Sequence, residues 1–178
     1  MGKNLMIFSK SVPSPDEDTL TAIVARTTGQ SVAMPAAVLD QRQVLELRAL
    51  CRDVAVAEPV ARYAARLVGA SEPSSPAAPE VVRRALRYGA GVRGAQSLVL
   101  AAKALALLAG RAQVAFADLQ AVALPVLRHR LIRSFEGEAD GITTDQVVRE
   151  LVEAVPTRPE GVERAVRFVK EQRDSGGT

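Results

Sequence analysis

Tryptophan is absent, and aromatic residues make up only 3% of the sequence. A core without large rings must be filled by small and branched aliphatic side chains. That favours close-packed helices over a sandwich of sheets. There is one cysteine, Cys51. A single thiol excludes an internal disulfide and a cysteine-cluster metal centre, and it fits a reducing compartment such as the cytoplasm. On its helix face it reads as a buried, inert side chain. His129 is the only histidine, so no histidine cluster can hold a metal. A large charge of one sign is also missing. The formal net charge is +3, too small to argue for nucleic acid by itself. The longest apolar run, residues 98–110, falls short of a membrane span and carries Lys103 in its middle. Residues 1–10 are too short and too polar for a secretory leader. No GxxxxGK[ST], GxSxG, HExxH or CxxC motif occurs. No arrangement of residues marks this chain as a self-sufficient enzyme.

What is present is helical periodicity. Hydrophobic residues are 48% of the 178, and charged residues 24%, which suits one globular domain with a tail. Residues 5–12 (LMIFSKSV) read as a short strand, stopped by Pro13 and Pro15. A lone strand needs a partner for its backbone, and none is visible in this chain. Ser14 or Asp16 caps a helix that ends at Gly29, and Asp40 caps another. Pro59 opens the next, with Val60, Tyr63, Ala64, Leu67 and Val68 as its apolar stripe. Residues 69–79 (GASEPSSPAAP) read as a long, extended loop. A short basic helix over 80–87 follows, then helices over 114–127 and from Thr143 or Thr144 to Pro156. Pro125 should kink or restart the helix it sits in. Val162, Val166 and Val169 fit one more amphipathic helix in the tail.

The chain is organised around residues 89–111, GAGVRGAQSLVLAAKALALLAGR. A helix this apolar on nearly all sides is expected to be central and the most buried, so that Leu105→Asp should unfold the domain. Gly110 stands where a C-terminal glycine would end it. Arg93 lies in the first turn, where a cation opposes the helix dipole. Free N–H groups beside a guanidinium and flexible glycines would suit a phosphate. The alternative is a surface arginine near a glycine turn.

Three segments carry a resemblance: YGAGVRGAQSLVLAAKALALLAGR, VAFADLQAVALPVLRHRL and FEGEADGITTDQVVRELVEAVP. In combination they resemble the C-terminal part of MoxR-family AAA+ ATPases. The likeness extends back through VLDQRQVLELRALCRDVAVAE and SPDEDTLTAIVARTTG, covering residues 5–156. It implies an all-α, lid-type helical bundle with an orphan N-terminal strand. Residues 1–13 would be the remnant of the last core strand and 14–37 a linking helix and loop. Residues 38–156 would be the lid and 157–178 a tail. In such ATPases a P-loop core binds ATP with Mg²⁺, and the helical lid packs over the nucleotide. The resemblance puts the family's sensor-2 arginine at Arg93, beside Gly91 and Gly94, where it would contact the γ-phosphate. The P-loop, the acidic metal-binding strand, sensor 1 and the arginine finger would lie before residue 1. The chain departs from the family pattern at Val92, usually proline, and at Ala70, Ser71, Glu72 and Pro73, where a basic residue is usual. That second departure leaves the turn without an expected role.

The leading expectation is therefore a lid fragment of a chaperone-like remodelling ATPase, inactive alone. Its partners would be the missing core and neighbouring subunits of a hexameric ring, with unknown clients and no membrane. The alternative is a stand-alone helical protein-interaction module without nucleotide. Nucleic-acid binding through Arg83, Arg84, Arg87, Arg128, Arg130 and Arg133 ranks last, because interleaved aromatics are lacking.

Overall fold

A computed structural model describes residues 14–29 and 36–157. The expected strand over 5–12 and the expected tail helix lie outside those residues. The chain divides into two compact units, Met1–Ala49 and Leu50–Thr178.

In the first unit, α1 (Glu17–Thr27) starts where Asp16 Oδ1 accepts the Thr19 N–H at 2.8 Å. The first turn carries Glu17 and Asp18, favourable to the dipole. Helix α2 (Gln41–Asp53) begins in this unit. Asp40 Oδ1 accepts the Gln43 N–H at 2.7 Å, and Gln43 Oε1 accepts the Asp40 N–H at 2.8 Å. Such a reciprocal pair satisfies two donors at once.

Among the described residues, the second unit is a helical bundle with one small sheet. Its elements are α3 (Glu58–Ala70), α4 (Glu80–Ala85), β1 (Leu86–Tyr88), α5 (Gly91–Leu108), α6 (Phe116–Leu127), β2 (Ile132–Arg133), α7 (Phe135–Ala139) and α8 (Thr144–Ala154). The expected helical fold is therefore observed, with a two-stranded addition. β1 and β2 pair antiparallel, Leu86 with Arg133 and Tyr88 with Ile132.

Helix α5 packs most extensively on α6 and next on α3, while α8 covers the other side of α6. The apolar stripe of α3 is buried as expected. So are Val147, Val148 and Leu151 on α8, which Thr143 caps by accepting the Gln146 N–H. Small residues let the axes approach: Ala102, Ala106 and Ala123 are fully buried.

Four expectations need correction. First, α5 is not surrounded. It buries one stripe, Gly94, Leu98, Ala102 and Ala106. Leu105 is only partly buried, and Leu108 is 62% exposed. By length and mean hydropathy (18 residues, 1.3) α5 does reach the size of a membrane span, although its buried stripe packs within the bundle. Second, Cys51 is half-buried rather than enclosed, with Sγ 4.0 Å from the Leu100 carbonyl oxygen. Third, residues 71–79 are not extended. They fold into successive turns, Ser75 N–H to Glu72 O (2.9 Å) and Ala78 N–H to Ser75 O (3.0 Å), which bury Ala78. Fourth, Pro125 does not restart α6, because it falls in the last turn, and the helix runs through to Leu127. A proline this close to a C-terminus removes one hydrogen bond and leaves little helix to displace.

Gly110 ends α5 as expected, with φ +72°. The Arg111 N–H reaches Ala106 O at 2.9 Å and the Gly110 N–H reaches Leu107 O at 2.9 Å. This double closure satisfies the last carbonyls and requires a left-handed residue. Gly110→Ala should therefore cost about 1 kcal/mol, although open space surrounds the site. Urea unfolding of the variant would check it, and an unchanged midpoint would contradict it.

The α5–α6 connection is held by charge. Arg111 donates to both oxygens of Asp118, at 2.8 and 2.6 Å, and Asp118 Oδ2 also accepts the Ala115 N–H at 2.7 Å. Asp118 is 5% exposed. Burial pushes its pKa up, but the Arg111 hydrogen bonds and the Ala115 N–H outweigh that, and the net direction is down. A carboxyl with a lowered folded-state pKa gives stability that is complete above its unfolded value, about 4, and lost as pH falls through the folded value. Asp118→Ala should cost about 1–3 kcal/mol at pH 7, below the loss typical of fully buried pairs, because the Arg111 side chain stays 41% exposed. The gap between wild type and variant should narrow as pH drops below 4. Urea midpoints at pH 7 and pH 3 measure it, and a gap that widens in acid would refute the assignment.

Candidate functional site: the start of the central helix

The α5 N-terminus is built by three separate pieces of chain. The first is the glycine turn. Ala90 is right-handed helical (φ −78°, ψ −17°) and Gly91 has φ +62°. This order of conformations turns successive N–H groups to one side and makes a concavity suited to an anion. Nothing lies within 4 Å of a Cβ built on Gly91, so glycine is needed there for its backbone and not for space. No side chain caps the helix, and its first turn has no acidic residue. Arg93 is exposed in that turn and has no hydrogen-bond or ion-pair partner among the described residues.

The second piece is the turn after α3, for which no role was expected. Ser71 is fully buried. Its hydroxyl donates to Val68 O at 2.6 Å and accepts the Ala90 N–H at 3.0 Å. Glu72 Oε2 accepts the Gly89 N–H at 3.3 Å. A Cβ on Gly89 would come within 2.7 Å of the Ser71 carbonyl oxygen, so this backbone approach requires glycine. The departure at 70–73 thus changes the chemistry of the turn, while Ser71 and Glu72 anchor the glycine segment. A buried Ser flanking a glycine turn leaves no periodic signal in the sequence.

The third piece is Arg130. Its Nη2 donates to Ser97 Oγ at 3.0 Å, and its Cδ passes 3.8 Å from the Cβ position of Gly94. Its Nε is buried without a partner among the described residues. Arg93 and Ser97 are one helical turn apart on the same face of α5. Arg130 therefore brings a second guanidinium to the face from which Arg93 projects. Gly94 itself turns inward. A Cβ there would sit 2.7 Å from Ala90 Cβ and 3.6 Å from Leu127 Cδ2, so its role is close packing.

The other basic residues are largely spoken for. Arg83 faces Glu80 at 3.8 Å, Arg84 bonds Asp140, Arg128 bonds Asp145 at 2.9 Å, and Arg133 lies 3.5 Å from Glu138. Arg87 lies over the Tyr88 ring, 5.3 Å from its centre. His129 is exposed. The FEGEADG segment is structural as well. Ser134 caps α7, Gly137 permits contact with the Ala85 backbone, and Asp140 receives Arg84.

The described residues thus form a helical bundle in which α5 begins at an uncapped glycine turn with a projecting arginine. Residues 78–151 match the AAA lid domain model. Chaperone MoxR1 of Mycobacterium tuberculosis is 28% identical over 143 residues, which span 80% of this chain and 37% of that protein. A crystal structure of a candidate ATPase from Cytophaga hutchinsonii superposes with a TM-score of 0.65 at 27% identity, over 82% of this chain and 44% of the other. The likeness to the lid region of MoxR-type AAA+ ATPases thus holds in family model, sequence and fold. The chain spans less than half the length of these two relatives.

Proposed function

We propose that this chain serves as the nucleotide-responsive lid of a MoxR-type remodelling ATPase, and that Arg93 senses the γ-phosphate of ATP. One observation carries the reading: Arg93 projects, unpaired among the described residues, from a first turn with no side-chain cap, behind left-handed Gly91. The donor set fits an anion. It comprises the Arg93 guanidinium, N–H groups of the glycine turn, and Arg130 held on the same face through Ser97. ATP with Mg²⁺ would be bound by a P-loop core, which supplies the phosphate cradle and the metal. The lid residues would add charge stabilisation and report phosphate occupancy as lid motion. By itself the chain should release no phosphate from ATP above a buffer control. The partners in this reading are the core, neighbouring subunits of a ring and client proteins, and the setting is the cytoplasm.

A stand-alone interaction module draws support from a different observation. Tyr88, Ile132 and Phe135 are 51%, 55% and 90% exposed. Exposed apolar side chains on the paired strands β1 and β2 and on the helix that follows β2 suit a protein contact. The two readings separate on nucleotide. Steady-state ATP turnover of the core-plus-lid protein, with and without Arg93→Ala, tests the first. Unchanged turnover in an equally folded variant would favour the second.

A further inference from the structure

One buried hydroxyl reaches the candidate site from another helix. Ser71 follows the last residue of α3 and is fully buried. Its Oγ donates to the Val68 carbonyl oxygen at 2.6 Å and accepts the Ala90 N–H at 3.0 Å. The hydroxyl is thus used in both of its roles. With its proton committed to Val68, its lone pairs are left for Ala90. Little water competes inside the bundle, so that orientation is held. A side chain at the end of α3 thereby sets the plane of the peptide that joins Gly89 to Ala90.

The peptide before it is pinned as well. Glu72 Oε2 accepts the Gly89 N–H at 3.3 Å, and the Ser71 backbone closes on Gly89, where a Cβ would meet the Ser71 carbonyl oxygen at 2.7 Å. Ala90 is held on its other side too. Its Cβ lies 2.7 Å from the Cβ position of Gly94, one helical turn further on. Gly89 and Ala90 are therefore fixed relative to the end of α3. The next three residues, Gly91, Val92 and Arg93, are exposed. Their N–H groups open α5, where a helix offers them no partner of its own. Those groups converge only while Ala90 stays right-handed ahead of left-handed Gly91. A flip of the 89–90 peptide would break the bond to Ser71 and redirect the turn from which Arg93 projects.

We infer that Ser71 is a positioning residue for Arg93: its hydroxyl holds the glycine turn in the anion-facing form and ties that form to the end of α3. Ser71 is buried, so it acts through the turn and not on the nucleotide. The effect on turnover rests on Arg93 sensing phosphate, whereas the hold on the turn does not.

Amide hydrogen exchange on the full chain tests the hold. In Ser71→Ala the Ala90 amide should exchange about tenfold faster, as for the loss of one closing hydrogen bond. Amides of α5 beyond Leu98 should keep their rates. An Ala90 rate equal to that of wild type would overturn the inference. Turnover of the core-plus-lid ATPase tests the consequence. Ser71→Ala should lower kcat about fivefold, with a smaller change in KM for ATP. On an Arg93→Ala background it should have no further effect, because a residue that acts through Arg93 has nothing left to position. Equal falls on both backgrounds would overturn the inference, since Ser71 would then serve stability alone. So would unchanged turnover of Ser71→Ala beside an impaired Arg93→Ala. If Arg93→Ala itself leaves turnover unchanged, the sensor reading fails, and the Ala90 amide still decides whether Ser71 holds the turn. Should Ser71→Ala not fold, Glu72→Ala takes its place, because Glu72 is exposed. That variant should free the Gly89 amide and lower turnover less, again only when Arg93 is present, and a fall independent of Arg93 would overturn the inference equally.

Discussion

Replacing Arg93 with alanine in a protein that joins this lid to a P-loop core should lower steady-state ATP turnover by an order of magnitude or more. The fold should be unaffected, because Arg93 is exposed and bonds no described residue. The loss follows from where the guanidinium acts. Charge on the transferred phosphoryl group has to be met by fixed positive groups, and removing one such contact costs roughly 2–4 kcal/mol. Nucleotide affinity should fall less than turnover, since the contact strengthens as charge develops. The opposite effect on stability makes the result specific. An arginine in the first turn opposes the helix dipole, so Arg93→Glu should stabilise the isolated chain by about 0.3–1 kcal/mol while disabling the complete ATPase. Thermal melts of each variant serve as the folding control. An Arg93→Ala protein that melts like wild type and turns over ATP at the same rate would return Arg93 to the surface. Arg130→Lys offers a graded companion. It keeps the charge near Ser97 but loses the planar fork, and should give a smaller fall than Arg93→Ala.

How much of this was legible in the sequence depends on the range of the interaction. Helix starts are local, and Asp16, Asp40, Pro59 and Thr143 each mark one correctly. The α5 stop at Gly110 is equally local. The pairing of β1 with β2 is not. Strands of three and two residues are too short to show alternation, and their register is set by Ser134, whose N–H reaches Ala85 O and whose hydroxyl reaches Arg84 O. Helix α7 is a single five-residue turn dictated by the same contact. At the candidate site, Arg93 and Gly91 stand out because glycine and charge are conspicuous in an apolar run. Ser71 and Arg130 do not, because their partners lie 19 and 33 residues away. Arg130 also sits in a run of arginines that reads equally well as a solvated basic face.

Periodicity likewise marks α5 as a core helix without telling how deeply each turn is packed, and a pair of charge insertions on one face, Leu98 and Leu105, compares its N-terminal and C-terminal halves. Leu98→Asp should abolish cooperative folding. Leu98 is fully buried on the stripe that meets α3 and α6, and neighbouring Ala102 and Ala106 leave no polar group to receive a carboxylate. Burying an unpaired charge is among the most destabilising of substitutions, beyond the 4–5 kcal/mol that marks exceptional cases. A domain of this size has total stability of only about 5–15 kcal/mol, so little or none would remain. Leu98→Ala is the milder control and should cost about 2–5 kcal/mol through lost contacts and a residual cavity. Leu105→Asp should behave differently. Leu105 is partly buried, so a carboxylate there can turn toward water, and the variant should stay folded with reduced stability. Urea unfolding followed by far-ultraviolet circular dichroism distinguishes them: no cooperative transition for Leu98→Asp, a shifted but cooperative one for Leu105→Asp. The reverse order would mean that the C-terminal half of α5 is packed more deeply than its start, because Leu98 and Leu105, seven residues apart, share one helix face.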